Sequence, residues 1–313
     1  MAHPFLKLDA TDFVVKMIYL ELPISNLDSV AGFLRIQAVI RGLPEDVLFL
    51  KEKAKEVRRN VLMMLTLAGS GHTGGSLSCV EITVALFYKI LRFNPEEPKW
   101  PERDRFILSK GHAAPTLYAV LADVGYFSKD LLWTLRKLGS PLQGHPASRR
   151  LPGIEVSTGS LGQGLSVANG IALAGRLDKL DYRVYCLLGD GELNEGETWE
   201  AALTTSHHRL ANVTAIIDNN GFQLDGRIEE IKNTTPIGDK FRSFGWNVLE
   251  IDGHDFPALL EAFAFAHLER TRPTIIIART VKGKGVAFME NRVEYHGMAP
   301  TDEELKWALM ELE

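Results

Sequence analysis

Five short apolar runs recur along the chain, and segments with helical spacing lie between most of them. Arg183 to Leu188 (Arg-Val-Tyr-Cys-Leu-Leu) and Asn212 to Ile217 (Asn-Val-Thr-Ala-Ile-Ile) are continuous and rich in β-branched residues. Arg105 to Ser109, Trp246 to Ile251 and Pro273 to Arg279 are of the same kind. A strand that alternates apolar and polar residues covers only one face of a sheet, whereas continuous runs need cover on both. Helices are expected over Glu45 to Ala68, Ser78 to Leu91, Leu165 to Leu177, Glu197 to Arg209 and Pro257 to Arg270. In the first, Leu50, Val57, Val61, Met64 and Leu65 recur at helical spacing behind an acidic start at Glu45-Asp46. Strands alternating with helices predict an α/β fold, three layers α/β/α around a mainly parallel sheet.

Composition removes several classes of function. The 313 residues include 45% hydrophobic and 24% charged residues, which is globular and not disordered. Lys and Arg total 35 against 40 Asp and Glu, a net charge of -5 without long blocks of one sign. That balance predicts no nucleic-acid partner and no anionic membrane partner. No apolar run approaches the roughly 18 residues of a membrane span. Cys79 and Cys186, the only cysteines, are too few for a disulfide framework, and a reducing, cytoplasmic location is expected. Residues 1–43 lack a clean period. Phe13 to Leu22 is interrupted by Lys16 and Glu21 and lacks the cleavage site of a signal peptide. The expected organisation is an atypical extension over 1–43 and one domain over 44–313.

Ligands of parallel α/β sheets bind beyond the carboxyl ends of the strands, and there the chain is most polar. The run 183–188 leads into Gly189-Asp190-Gly191-Glu192, and 212–217 leads into Asp218-Asn219-Asn220-Gly221-Phe222. If the two strands are neighbours, Asp190 and Asn220 project into one crevice. A carboxylate and an amide oxygen are hard ligands that suit Mg²⁺ or Ca²⁺. The flanking glycines would let backbone N–H groups approach a phosphate. Taken alone, Gly-Asp-Gly reads as well as a tight turn carrying a solvated aspartate. Of nine histidines, His72, His112, His145 and His254 follow a glycine and His296 precedes one. Converging imidazoles would serve proton transfer and hydroxyl recognition; singly, each fits a surface loop or a helix cap.

Gly189-Asp190-Gly191, then 27 residues, then Asn219-Asn220 resembles the signature of thiamine-diphosphate enzymes. Ser70-Gly71-His72, Ser109-Lys110-Gly111-His112, Gly144-His145-Pro146, Ser157 to Gly164, Gly189 to Gly196 and His296-Gly297-Met298-Ala299-Pro300 follow in the order seen in transketolases. This resemblance covers residues 45 to about 300 and corresponds to the diphosphate-binding half of those enzymes. It implies the thiamine-diphosphate-binding fold and the N-terminal subunit of a split transketolase. Its pyrimidine-binding half would be a separate C-terminal subunit, in an α2β2 assembly. The implied reaction moves a two-carbon ketol unit from a ketose phosphate to an aldose phosphate, as in the pentose phosphate pathway. The glutamate that acts on the aminopyrimidine belongs to the other half, so the chain alone would be incomplete.

The resemblance also implies roles. Asp190, the Asn220 side chain and the Phe222 carbonyl would hold Mg²⁺, or Ca²⁺ or Mn²⁺. His112, Gly159, Ser160, Leu161, Gly191, Glu192 and Asn220 would contact thiamine diphosphate. His72, His145 and His296, with His112, would face the substrate, and Glu195 would couple paired active sites across a subunit interface. The alternative for Glu195, an acid favoured at a helix N-terminus, stands slightly behind that reading. His254 is expected to be structural, because Asp255 and Pro257 form a helix start behind it; His207 and His208, on a helix, are expected to be structural too. Lys282 and Lys284 fit either a phosphate contact or a solvated basic turn. Thr73 stands where the family's motif usually has proline, and Ser160 where many members have proline. Other readings are a deoxyxylulose-phosphate synthase, the α subunit of a 2-oxo acid dehydrogenase, a split transketolase for an unusual sugar, and a non-catalytic interaction subunit.

Overall fold

The computed structural model describes residues 44–313. The expected extension over 1–43, including Phe13 to Leu22, lies outside them. Helix α1 (Pro44–Ala68) starts with proline in its first turn followed by Glu45 and Asp46, which favour a helix N-terminus. Gly69, at φ +62°, follows its last residue in the left-handed conformation that commonly ends helices. Helices α2 (Thr73–Ser78) and α3 (Val80–Ala85) and a π-helical turn (Leu86–Ile90) come next. The second helical segment therefore begins five residues before the expected Ser78, and Gly74 and Gly75 lie inside it. A side chain at Gly74 would stand 2.9 Å from Lys282 Cγ and 3.2 Å from the Tyr295 carbonyl oxygen. Close packing thus accounts for a glycine that reads locally as a helix stop.

Then follow β1 (Arg105–Leu108), α4 (Ala114–Asp123), α5 (Gln163–Asp178), β2 (Val184–Gly189), α6 (Gly196–His207) and β3 (Val213–Asn219). The last elements are α7 (Ile228–Ile231), α8 (Ile237–Ser243), β4 (Asn247–Asp252), α9 (Phe256–Leu268), β5 (Thr274–Arg279) and α10 (Asp302–Glu311). All five strands are parallel, in the order β1-β2-β3-β5-β4. Strands β2 and β3 are direct neighbours, with Gly189 opposite Asp218.

Successive strand residues point to opposite faces, and β2 divides accordingly. Tyr185 and Leu187 pack with residues of α1, α3, α4 and α9. Val184, Cys186 and Leu188 pack with residues of α5, α6 and α8. These two cores make the three-layer α/β/α architecture. Cys79 belongs to the first and Cys186 to the second, and both are free thiols. Ile275, Ile276 and Ile277 of β5 are almost fully buried, each contributing about 1.5–3 kcal/mol relative to exposure. The C-terminal helix opens with a capping box between Thr301 and Glu304. Its end is tied to α1, where Arg59 donates to the Leu312 carbonyl at 3.0 Å. Among the described residues, no helix is long and apolar enough to cross a membrane.

Candidate active site

A cleft of about 450 Å³ opens at the carboxyl ends of β1, β2, β3 and β5. It is lined by His72, His112, His145 and His296, and by Gly159, Leu161, Asp190, Gly191, Glu192, Glu195, Asn220 and Phe222. Residues from seven separate stretches of sequence thus share one cavity.

His72 stands at the centre of the imidazoles. Its ring centroid lies 5.3 Å from that of His112, 5.9 Å from His145 and 5.7 Å from His296. Burial pushes His72 down to about 4 and His296 down to about 3, with neighbouring cations adding to the effect. His112 and His145 are shifted downward for the same first reason. Near neutrality the rings are uncharged, each with one N–H donor and one nitrogen acceptor. Lys282 Nζ lies 2.8 Å from Nδ1 of His296; the ammonium donates, which leaves the imidazole proton on Nε2. His72 Nδ1 is buried and unpartnered among the described residues.

At the other end of the cleft, Asp190 is 1% exposed. Its carboxylate accepts from the Gly191 amide at 2.9 Å and the Gly221 amide at 2.6 Å. Burial, followed by the nearby Asp218 carboxylate, pushes Asp190 up to about 7. Asn220 Oδ1 accepts from the Phe222 amide at 3.1 Å. Among the described residues, no group of three or more His, Cys, Asp or Glu side chains is arranged to hold a metal. One carboxylate, one amide and one carbonyl do fit a hard divalent cation whose other ligands are phosphate oxygens and water. A cation there would also offset the energetic cost of a buried, like-charged carboxylate.

The loop before α5 is held by close backbone contacts. A side chain at Gly159, where φ is +138°, would stand 3.0 Å from the His145 ring. One at Gly111, beside His112, would stand 2.8 Å from the Gly159 nitrogen. Glu192 lines the cleft, but its carboxylate turns inward, accepting from Ser109 Oγ, the Gly162 amide at 2.9 Å and the Gly189 amide at 3.0 Å. Its side chain therefore couples the loop to the end of β2. Ser160 is exposed and accepts from Gln163 Nε2 at 3.3 Å, and it is not among the residues lining the cleft. Glu195 occupies the N-cap position of α6 without a side-chain capping bond and is exposed at the cleft edge.

Some candidates lie elsewhere. His254 bridges Glu81 and the Val281 amide away from the cleft lining. Asp255 caps α9 by accepting from the Ala258 amide. His207 and His208 are exposed at the end of α6. Lys284 pairs with Glu290, whereas Lys282 is 1% exposed, lines the cleft and is pushed down to about 8 by burial and then by Lys110. Sequence reasoning left Lys282 undecided and assigned nothing to Lys110, which lines the cleft, or to Asp218, with which it pairs. The signal of Asp218 is a charge inside the end of an otherwise apolar strand, and Lys110 follows the end of β1.

Residues 50–312 match the family model described as transketolase, thiamine diphosphate binding domain. The chain is 43% identical over 271 residues to a 6-deoxy-6-sulfo-D-fructose transketolase subunit of Clostridium sp. (strain MSTE9), covering 87% of this chain and 98% of that protein. It is 40% identical to an apulose-4-phosphate transketolase subunit of Phocaeicola vulgatus, covering 84% of this chain and 93% of that protein. Human transketolase is 42% identical over 79% of this chain, which spans 39% of the human protein. The crystal structure of Campylobacter jejuni transketolase superimposes with a TM-score of 0.80 at 33% identity, covering 85% of this chain and 43% of that one. By this match over most of its length, the chain belongs to the transketolase family, as a thiamine diphosphate-binding domain.

Proposed function

We propose that this chain is the diphosphate-binding subunit of a two-chain transketolase. In that enzyme a separate C-terminal subunit supplies the pyrimidine-binding half, in an α2β2 assembly. The observation that carries the reading is the meeting of Asp190 and Asn220 with four neutral histidines in one cleft, on a fold whose similar subunit-sized proteins are named as transketolase subunits. Asp190, Asn220 Oδ1 and the Phe222 carbonyl hold Mg²⁺, with Ca²⁺ or Mn²⁺ as substitutes. Gly191 and His112 contact the diphosphate, and Gly159 and Leu161, which line the cleft, form the wall on which the cofactor rings rest, with the exposed Ser160 outside it. Glu192 acts by fixing that wall, and Glu195 faces the second copy of the assembly. Thiamine diphosphate, when bound, supplies the nucleophilic carbon and electron sink for breaking and making a ketose carbon–carbon bond.

The chain's own contribution to the reaction is position, hydrogen bonds and proton handling. A neutral His296 with its proton on Nε2 donates to a carbonyl oxygen as charge develops there. His72 and His145 accept from and donate to sugar hydroxyls. The relatives of subunit size are named for 6-deoxy-6-sulfo-D-fructose and apulose 4-phosphate, which favours an unusual sugar over the common pentose phosphates. The test is ketol transfer from a ketose phosphate by this chain, by its partner, and by the two mixed, with thiamine diphosphate and Mg²⁺. Activity only in the mixture supports the proposal; activity of this chain alone refutes the two-chain reading.

A further inference from the structure

Three consecutive residues of α2 each hold a different segment that carries a cleft side chain. Thr73 Oγ1 donates to the Met298 carbonyl at 2.6 Å, two residues beyond His296. The Gly74 carbonyl accepts from the Gly283 amide at 3.0 Å, next to Lys282. The Gly75 carbonyl accepts from Lys110 Nζ at 2.8 Å, two residues before His112. His72, whose ring neighbours those of His112, His145 and His296, immediately precedes the three. Two of these ties use backbone carbonyls, which any residue could offer, but the first needs a side-chain donor. Thr73 is fully buried, and its hydroxyl has one proton to give. Proline, usual at this place in the family's motif, would start the helix equally well but has no hydroxyl, so the tie belongs to this chain's own sequence.

Met298 lies in the stretch 297–300, between a short 3₁₀ turn (Glu294–His296) and α10. Among the described residues, the backbone of that stretch makes no other hydrogen bond. His296, just before it, is held through Nδ1 by Lys282. One bond to a ring nitrogen leaves an imidazole free to swing about that contact. The tie at Met298 removes this freedom and keeps the His296 ring nearly perpendicular to that of His72, with centroids 5.7 Å apart.

Building on the two-chain transketolase reading, we infer that Thr73 is a positioning residue for ketol transfer, whose hydroxyl holds the His296 segment against His72. The imidazole that donates to the substrate carbonyl and the one that binds a sugar hydroxyl then keep a single spacing. Thr73 does not itself line the cleft; it acts through the Met298 carbonyl. A displaced His296 costs turnover because a hydrogen bond to developing charge depends on distance and direction.

Two measurements test this, each on Thr73→Val, which keeps the side-chain shape, and on Thr73→Ala, which does not. In the reconstituted complex, kcat for ketol transfer is expected to fall about 3- to 10-fold in both variants, the scale of one hydrogen bond. Thr73→Ser, which keeps the donor, is expected to retain the wild-type kcat. Unchanged kcat in the variants without a hydroxyl, or a fall that Thr73→Ser shares, overturns the inference. In the full chain alone, NMR follows the nuclear Overhauser effect between the ring protons of His72 and His296. It is expected in the wild type and in Thr73→Ser and to be lost in Thr73→Val and Thr73→Ala; its persistence in those two overturns the inference. A wild-type complex without ketol transfer would refute the two-chain reading, and the NMR comparison would still decide whether Thr73 fixes the two rings.

Discussion

Lys110 and Asp218 form an ion pair at the cleft floor, at 1% and 0% exposure. Lys110 Nζ also donates to the Gly75 carbonyl at 2.8 Å, and Asp218 accepts from Ser78 Oγ at 2.5 Å and from Thr280 Oγ1. Burial opposes both charges, yet the pairing prevails: Lys110 is held above its ordinary value and Asp218 below. The pair fastens α2, the end of β1 and the end of β3 to one another.

Removing one partner leaves an uncompensated buried charge. Lys110→Met is therefore expected to destabilise the chain by about 3–5 kcal/mol. Replacing Lys110 and Asp218 together by apolar residues should cost less than the sum of the single changes. Urea unfolding of the single and double variants measures both quantities.

His254 has a positioning role that its sequence context only half discloses. Its Nε2 accepts from the Val281 amide at 2.8 Å, so Nδ1 carries the proton and donates to Glu81 at 2.9 Å. Glu81 also binds Arg58 at 2.7 Å. Val281 immediately precedes Lys282, and the expectation is that His254→Ala costs about 1–3 kcal/mol. It should also weaken thiamine diphosphate binding by the complex, read by calorimetry. Full stability with unchanged affinity would remove the positioning role.

The histidine cluster makes a pH prediction. An ordinary histidine takes up its proton near pH 6.5, but His72 and His296 are held to about 4 and about 3. Burial is the first cause in each; Arg136 is the next for His72 and Lys282 for His296. The unfolded chain binds these protons at higher pH than the folded chain. The stability linked to these rings is therefore present above pH 6.5 and is lost as pH falls towards the folded values. Imidazole NMR should find both rings neutral down to about pH 5, whereas midpoints near 6.5 would contradict this environment.

Two glycines of α5 should respond in opposite ways to alanine. A side chain at Gly164 would stand 2.9 Å from Ser109 Cα, so Gly164→Ala is expected to destabilise by about 1–3 kcal/mol. Gly170 has open space around it, and Gly170→Ala should stabilise by roughly 0.5–1 kcal/mol through helix propensity. Thermal or urea unfolding compares them.

That contrast also marks what the sequence could disclose. Small residues recur along α5 at 168, 170, 172, 174 and 175, yet Ala168, Ala172 and Gly175 are buried while Gly170 and Ala174 are exposed. Strand positions were legible because continuous β-branched runs admit few alternatives, and each expected strand lies within two residues of its observed bounds. Helix α4 was not, since Ala114 through Ala122 are all buried and carry no polar face to give a period. Residues around Asp190 and the histidines stood out through their glycines. Lys110 and Asp218 did not, because their significance lies in a contact that only the folded chain creates.

The central claim is that this chain holds the diphosphate and its metal through Asp190. Calorimetry of Mg²⁺-dependent thiamine diphosphate binding to the reconstituted complex, wild type against Asp190→Ala, tests it most directly. Loss of even an outer partner of a metal ligand costs about 10–100-fold in metal affinity, so loss of the carboxylate itself should weaken binding by more than about 100-fold. Thiamine diphosphate affinity equal to that of the wild type in Asp190→Ala would contradict the account.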